Sequence, residues 1–409
     1  MKLAVDLHSH SGYAGGVGDI QLTDIATTMK RKGIDVFGTG DCIYPPRAQE
    51  LEKLLEERES GLFALPGDSS RFVLQTEVIF STRISGHSNK IIAHHVILFP
   101  GFAQITEMQR LMENWSMKNT IGRPFITSES RDELLTQLEA IADINPFIEI
   151  IPAHIMTPDG VLGSKNGLSS FGEFYGDFLP NIHAVETGLS ADPAMLVQIP
   201  QVAQMAMISS SDCHSAALNR VGREFTQLEV GEISYNGIIE AIRQRRVVMT
   251  AEFHPSEGRY YLTGHRANRS GHSSAIQFNP PPENGICPVC NKKVLTGVKQ
   301  RCLDLRDTSL PNTPQKFLHL LPLVEVLAWA EGLKNPASKR VLKRYEEVLG
   351  VFPSEISMWL IDDSDIIGAL TGKTPEKVIE SIVAVKNSNF RFIPPGFDGT
   401  YGQLHISLD

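Results

Sequence analysis

Much is scarce in this chain of 409 residues, and each scarcity excludes a class of protein. No uninterrupted apolar stretch approaches the roughly 18 residues needed to cross a bilayer, which excludes an integral helical membrane protein. The apolar run ahead of Asp6 is too short for the core of a secretory signal, so a cytoplasmic location is expected. Cysteine is limited to five residues, and only Cys287 and Cys290 are closely spaced. An odd number with that spacing argues against a disulfide framework and suits a reducing compartment. Internal repeats and low-complexity tracts are also lacking. Nor is there an overall excess of basic residues: the net charge is −9, which taken alone speaks against a nucleic-acid partner.

What is present is the composition of a soluble globular protein, 42% hydrophobic and 21% charged, in a chain long enough for two or three domains. The charge is unevenly spread. From Ser256 to Tyr345 there are 14 Lys and Arg against 6 Asp and Glu, a local balance of +8, so the remainder carries −17. An acidic body joined to a basic segment suits a metal enzyme acting on a polyanion, because carboxylates hold ions while Lys and Arg hold phosphates. The plain alternative is a solvated surface.

The first 250 or so residues alternate short β-rich runs with amphipathic segments, the pattern of repeated βα units. Strands are expected at Leu3 to His8, Ile34 to Asp41, Phe72 to Ile79, His95 to Phe99, Phe147 to His154, His183 to Thr187 and Met207 to Asp212. Seven of them suggest a barrel rather than an open sheet. Helices are expected over Gln21 to Lys32, stopped by Gly33, and over Ser128 to Ile144. The expected domains are a catalytic barrel over 1–253, an irregular basic insert over 254–310, and a helical region over 311–409 in which LHLLPLVEVLAWAEGL reads as one helix.

Metal-binding residue types recur at the ends of the β-like runs: His8, His10, Asp41, Glu77, His95, His154, Asp212 and His214. In βα barrels the loops at the C-terminal strand ends carry the chemistry, so one pocket binding a cluster of divalent ions is expected. Mixed imidazole and carboxylate ligation suits Zn²⁺, Mn²⁺ or Fe²⁺ better than Mg²⁺ or Ca²⁺. Hydrolysis is the reaction such a cluster supports. Taken singly, His87, His94 and His183 read as structural histidines. Cys42 and Cys213, each next to an expected ligand, read as buried and inert.

The order HxH, Asp after TG, Glu, His before an apolar run, PAH and SDxH resembles the polymerase and histidinol phosphatase (PHP) superfamily of metal-dependent phosphoesterases. The stretches GTGD, TEV, HHVILF, PAHIMTP, ETGLSADP, SSSDCHS and VGREFTQLEV, with LHLLPLVEVLA and the terminal PGFDGTYG, further resemble the endonuclease Q family of DNA repair nucleases. The resemblance covers nearly the whole chain. It implies an α/β fold, a distorted (β/α)7 barrel with a small zinc-finger-like insert and a C-terminal helical region. It implies that His8, His10, Glu77, His95, His154, Asp212 and His214 hold two or three ions, with Asp41 joining His214 on a further one. Asp192 matches an acidic position that helps activate water or orient the scissile phosphate. The activity implied is a hydrolase that cuts DNA 5′ of hypoxanthine, uracil or abasic sites.

Two departures from the pattern stand out. GYAGGVGD offers no further histidine after HxH, which leaves a third ion an incomplete protein shell. The insert has one CxxC where relatives often have two, and His265 and His272 stand ready to complete a Cys287, Cys290 structural zinc shell. Lys292, Lys293, Lys299, Arg301, Arg340 and Arg344 are the candidate phosphate contacts, and Arg220 or Arg223, just beyond SDCH, is the candidate clamp on the scissile phosphate. The aromatic, glycine-rich PGFDGTYG is a candidate base reader, since a damaged base in a duplex must be drawn out to be read. DNA, as lesion-containing duplex or single strand, is the expected partner, and a sliding clamp is left open. Two rivals also stay open: a small-molecule phosphomonoesterase of histidinol phosphatase type, and a DNA-binding adaptor without catalysis.

Overall fold

Each of the seven runs read as strands contains one, but the strand ends retreat by one to four residues from the site-bearing ends in most of them. In the computed structural model, which describes all residues except Gly16, Val17, Ser270 and Asp409, the strands that frame the core and the site are β1 (Lys2–Asp6), β2 (Val36–Gly38), β3 (Arg71–Thr82), β4 (Ile91–Phe99), β5 (Phe125–Thr127), β6 (Glu149–Pro152), β7 (Ala184–Glu186), β8 (Ala206–Ile208), β9 (Phe225–Glu229), β10 (Val247–Glu252) and β11 (Phe317–His319). Shorter strands pair as Glu56–Glu59 with Leu62–Ala64, the latter beside β3, as Gly264–His265 with Ile276–Gln277, and as Phe390–Phe392 with Leu404–Ile406. The GYAGGVGD loop is thus described only in part.

Pairing runs β11-β10-β9-β1-β2-β3, continues from β3 through β4 to β6, and adds β5 beside β3. β7 and β8 form a separate parallel pair. The fold is mixed α/β, not a uniform repeat of parallel units: β1–β2 and β2–β3 are parallel, whereas β1–β9, β3–β4 and β4–β6 are antiparallel. β4 returns directly from β3 because the two are joined by a short turn, which permits only antiparallel pairing.

Alternation along these strands divides the core. Leu3, Val5, Val36, Val73, Val96, Leu98, Ile151, Ala184, Ile208 and Leu228 gather in one apolar cluster, closed by Ile238, Ile239 and Ile242 of the helix Tyr235–Arg243. Their neighbours of opposite parity, such as Ala4, Phe37, Phe72, Ile97 and Phe99, face the flanking helices in a second cluster. The helix Leu22–Lys32 ends at Gly33, whose φ of 87° is the left-handed stop that glycine adopts without penalty. The helix Arg131–Ile144 begins at Ser130, whose side chain accepts from the Glu133 N–H.

The C-terminal region departs from its helical reading in two places: Phe390–Phe392 and Leu404–Ile406 pair as antiparallel strands, and the first expected helix is interrupted. Within LHLLPLVEVLAWAEGL only Leu323–Ala330 is helical, while Phe317–His319 becomes β11 beside β10. Pro322 separates the two, since a residue before proline disfavours the helical region. The main sheet therefore continues into the last hundred residues. Among the described residues no helix is long and apolar enough to cross a membrane.

Candidate metal centre

The parity that builds the inner cluster also aims the site. Glu77 shares the face of Val73, His94 that of Val96 and Leu98, and Glu186 that of Ala184, so these polar side chains cap the apolar interior at one end. Around them the chain leaves its strands in tight left-handed turns. Asp41, His154 and Asp212 have φ of 55°, 31° and 46°, a region rare for residues other than glycine and found where structure is held in place by its surroundings. Gly122 permits the close packing of these turns, because a Cβ there would meet Asp41 Cγ at 2.5 Å.

Three imidazoles are anchored at Nδ1 and present Nε2 to a shared point. His8 Nδ1 lies 2.9 Å from Glu186, His10 Nδ1 3.2 Å from Asp41, and His154 Nδ1 2.7 Å from the Thr157 hydroxyl. Their Nε2 atoms converge on two carboxylates: His10 Nε2 is 3.3 Å from Glu77 and 3.2 Å from Asp212, His154 Nε2 is 3.4 Å from Glu77, and His8 Nε2 is 3.6 Å from Asp212. Three overlapping ligand groups result: His8, His10 and Glu77; His10, Asp212 and His214; Glu77, His94 and His154.

Two further facts show that cations fit here. His8 Nε2, His10 Nε2 and Asp212 Oδ1 are buried without a hydrogen-bond partner, a costly state for polar atoms unless an ion completes them. The electrostatics agree. Burial alone would lower the His8 pKa, yet the carboxylates of Glu186, Asp212 and Glu77 push it up to about 9, and His10 rises for the same kind of reason. Burial alone would raise Glu77, but His94, His10 and His154 hold it well below the usual carboxylate range. A carboxylate or hydroxyl that holds Nδ1 leaves Nε2 free and facing inward, which is how metal-binding histidines are commonly oriented.

Three expected site residues fall outside these ligand groups. His95 has the wrong parity: its ring points into the outer core, 2.5 Å from the Tyr175 hydroxyl and packed against Phe80 and Phe174. Burial there lowers its pKa to about 3, as for a neutral core imidazole, and its neighbour His94 takes the place in the ligand group, 2.6 Å from Glu77. Asp41 does not join His214. Its carboxylate accepts from the Ser11 N–H at 2.8 Å and holds His10, so it orients a ligand instead. Asp192 caps the turn Pro193–Leu196 and meets His319 at 3.1 Å, apart from the ligand groups. Cys42 and Cys213 are buried in the outer core, where burial raises both thiols, Cys213 to about 12.

Above the ligands opens a cleft of about 530 Å³ lined by Arg123, Arg220, Arg223 and Arg259 together with Phe253, Tyr260, Tyr261 and Tyr401. Arg123 reaches Glu77 at 3.3 Å, and Arg223 donates to the Ser211 carbonyl at 2.9 and 3.0 Å while facing the Phe253 ring. The PGFDGTYG loop places Tyr401 at the cleft, with Arg259 over its ring, and Gly396 packs so closely on the Gly258 carbonyl that any Cβ would collide.

The insert brings its four expected residues together. His265 Nδ1 and His272 Nε2 are 3.2 Å apart, and Cys287 and Cys290 each place sulfur 3.4 Å from one of these nitrogens. Ligand bonds of about 2.0–2.1 Å to nitrogen and about 2.3 Å to sulfur give tetrahedral edges of about 3.3–3.8 Å, so the spacing fits zinc. Against the upward push of burial, the N–H groups of Cys290 and Val289 lower the Cys287 thiol.

Of the basic candidates, three are already engaged. Arg301 donates to the carbonyls of Leu162 and Leu168, and Arg340 and Arg344 pair with Glu331. Lys292, Lys293 and Lys299 are exposed.

Comparison with known proteins brings the fold and the site together. The crystal structure of the lesion-specific endonuclease PfuEndoQ from Pyrococcus furiosus matches with a TM-score of 0.82 and 28% identity, covering 99% of this chain and 96% of that one. The chain resembles endonuclease Q. A structure of endonuclease Q in complex with a 27-mer duplex substrate, with an abasic lesion at the active site, matches equally, with a TM-score of 0.82, 28% identity and coverage of 100% and 97%. An uncharacterised protein of Methanocaldococcus jannaschii, MJ0043, is 30% identical over 242 residues, 58% of this chain, and the chain spans only 30% of that relative's length. The uncharacterised protein YqxK of Bacillus subtilis is 25% identical over 423 residues, covering 98% of this chain and 99% of its own. No family model matches. The endonuclease Q likeness extends through the insert and the helical region, beyond the ligand-bearing strands.

Sequence reasoning missed His94, Glu186, Arg123 and Thr157. His94 and His95 are adjacent in HHVILF, a strand apolar on both faces, which offers no alternation to tell them apart. Glu186 lies in ETGLSADP, and the signal available for it was its position at a strand end.

Proposed function

We propose that the chain is a metal-dependent endodeoxyribonuclease of DNA repair that nicks DNA 5′ of deaminated bases and abasic sites. The observation that carries this is the set of buried, unpartnered ligand atoms of His8, His10 and Asp212 beneath a cleft lined with arginine and tyrosine. The strands around the inner cluster are best read as a distorted barrel with this site at one end.

His8, His10, Glu77, His94, His154, Asp212 and His214 would hold the divalent ions, Zn²⁺, Mn²⁺ or Fe²⁺ by ligand type. Bound ions of this kind lower the pKa of water towards about 7 and neutralise charge on a phosphoester. The remaining work falls to the chain. Asp41, Glu186 and Thr157 hold the imidazole rings in register. Arg123, Arg220 and Arg223 ring the place where a phosphodiester would enter, as planar donors that grip phosphate oxygens in pairs. Tyr260, Tyr261 and Tyr401 provide flat apolar surfaces for a base removed from the duplex, which offsets part of the unstacking cost of a few kcal/mol.

The test is to incubate the protein with Mn²⁺ or Zn²⁺ and labelled duplexes bearing hypoxanthine, uracil, an abasic site or no lesion, beside a chromogenic phosphomonoester. Nicks on the 5′ side confined to lesions are expected. Inertness towards every duplex overturns the reading, and rapid turnover of the phosphomonoester alone points to the phosphatase class.

Glu186→Gln keeps the shape of the side chain but weakens its hold on His8 Nδ1. Calorimetric metal titration should register a loss of about 10–100-fold in affinity, the usual consequence of losing such a partner. An unchanged affinity would show that Glu186 does not orient the ligand. In the insert, Cys287→Ser should remove roughly one tightly bound zinc per chain in elemental analysis; retention of that zinc would disprove the proposed shell.

A further inference from the structure

A second cleft, of about 450 Å³, lies between the insert and the ligand-bearing body and is lined by Asn89, Lys90, Asp159, Lys165, Asn166 and Lys293, among others. Three lysines line it from separate parts of the chain. Lys90 precedes β4, Lys165 follows the His154 turn, and Lys293 follows the Cys287 to Cys290 element. Nothing in the apolar core requires three lysines to meet there.

This cleft adjoins the metal-facing one, because Asp159 lines both. A polyanion lying in the first would pass Asp159 on entering the second. The lysines are held in exchangeable ways. Lys165 is paired with both oxygens of Asp159 at 2.9 Å and Lys90 with Glu129 at 2.9 Å, and the Lys165, Asp159 and Glu129 side chains are 53%, 45% and 76% exposed. Exposed pairs of this kind are weak, so phosphate oxygens can replace the carboxylates at little cost.

The position of Lys293 is set by the His and Cys group. The Lys293 carbonyl is 3.4 Å from His265 Nε2, the Cys287 N–H donates to the Lys292 carbonyl at 2.9 Å, and Ile286 bridges to Lys293. The insert thus places a lysine at a cleft that Lys90 and Lys165 of the main body also line.

We propose that the cleft lined by Lys90, Lys165 and Lys293 is a backbone-phosphate subsite that grips the nucleic acid away from the scissile position, with Asp159 as an internal anion that the phosphate must displace. This rests on the nuclease reading. Phosphate contacts of this kind act on any sequence and any lesion, and they carry the salt dependence of binding.

The experiment measures Kd for lesion-bearing and lesion-free duplexes against salt concentration in the wild type, in Lys90→Ala/Lys165→Ala/Lys293→Ala and in Asp159→Asn. Each lost contact should flatten the slope of log K against log salt by about 0.9. Binding of both duplexes should weaken in parallel, with the rise appearing in KM and not in kcat. Asp159→Asn should do the opposite and tighten binding several-fold, an outcome that misfolding cannot mimic. A wild-type slope in the triple variant, or weaker binding by Asp159→Asn, overturns the subsite while leaving the nuclease intact. A wild type that binds no duplex at all removes both.

Discussion

Glu77→Gln should reduce lesion-dependent nicking by about a thousandfold, equivalent to about 4 kcal/mol of transition-state stabilisation. Glu77 is shared by two of the three ligand groups, and its carboxylate lies within 3.4 Å of His10, His94, His154 and Arg123. Glutamine preserves the shape but removes the negative charge that would bind ions there and that holds several imidazoles in one orientation. Single-turnover nicking of an abasic duplex with saturating Mn²⁺ is the appropriate measurement, since it reports the chemical step apart from product release. Activity within tenfold of the wild type would mean that the cluster around Glu77 is not the reactive centre. The neighbouring histidines sharpen the result: His94→Ala should lower metal content, whereas His95→Phe, on the opposite face, should leave it intact and alter only stability.

The second large effect concerns the body that carries the site. Lys32, at the end of its helix, is 1% exposed and forms a 2.6 Å ion pair with Glu355, itself 2% exposed. The same carboxylate accepts from the Leu323 N–H at 2.9 Å and the Tyr345 hydroxyl at 3.0 Å, so one buried group ties the first helix to three segments of the C-terminal region. Lys32→Met removes the cation and leaves Glu355 charged and buried. The expected cost is about 3–5 kcal/mol, read from the urea midpoint. Replacing Glu355 with glutamine at the same time should recover much of that loss, because the neutral amide removes the uncompensated charge and still offers polar partners to the Leu323 N–H and the Tyr345 hydroxyl. A single-variant cost below about 1 kcal/mol would show that water reaches the pair.

These two predictions draw on different levels of information. Glu77 was visible in the sequence as a carboxylate near the end of an apolar run, as were His8, His10, His154, Asp212 and His214. All six are brought together. The Lys32–Glu355 pair was not visible, since its members are 323 residues apart and each reads as an ordinary surface charge. The basic candidates failed for a related reason. Charge counting does not reveal that Arg301 is consumed by two carbonyls, or that Arg340 and Arg344 share Glu331.

Order along the chain was therefore enough to establish a mixed α/β architecture, an acidic body with a basic segment, the residue types of an ion cluster and four zinc-compatible side chains in the insert. It was enough because residue type at a strand end, helical period and close Cys and His spacing are local properties. Strand register, left-handed turns and long-range pairing were settled only on folding. Side chains alternate from one face of a strand to the other, so a difference of one residue sends His94 to Glu77 and His154 and sends His95 to the core. The same holds for Asp41, which a turn at φ 55° directs towards His10 as an orienting group, a direction that no periodicity in GTGD encodes.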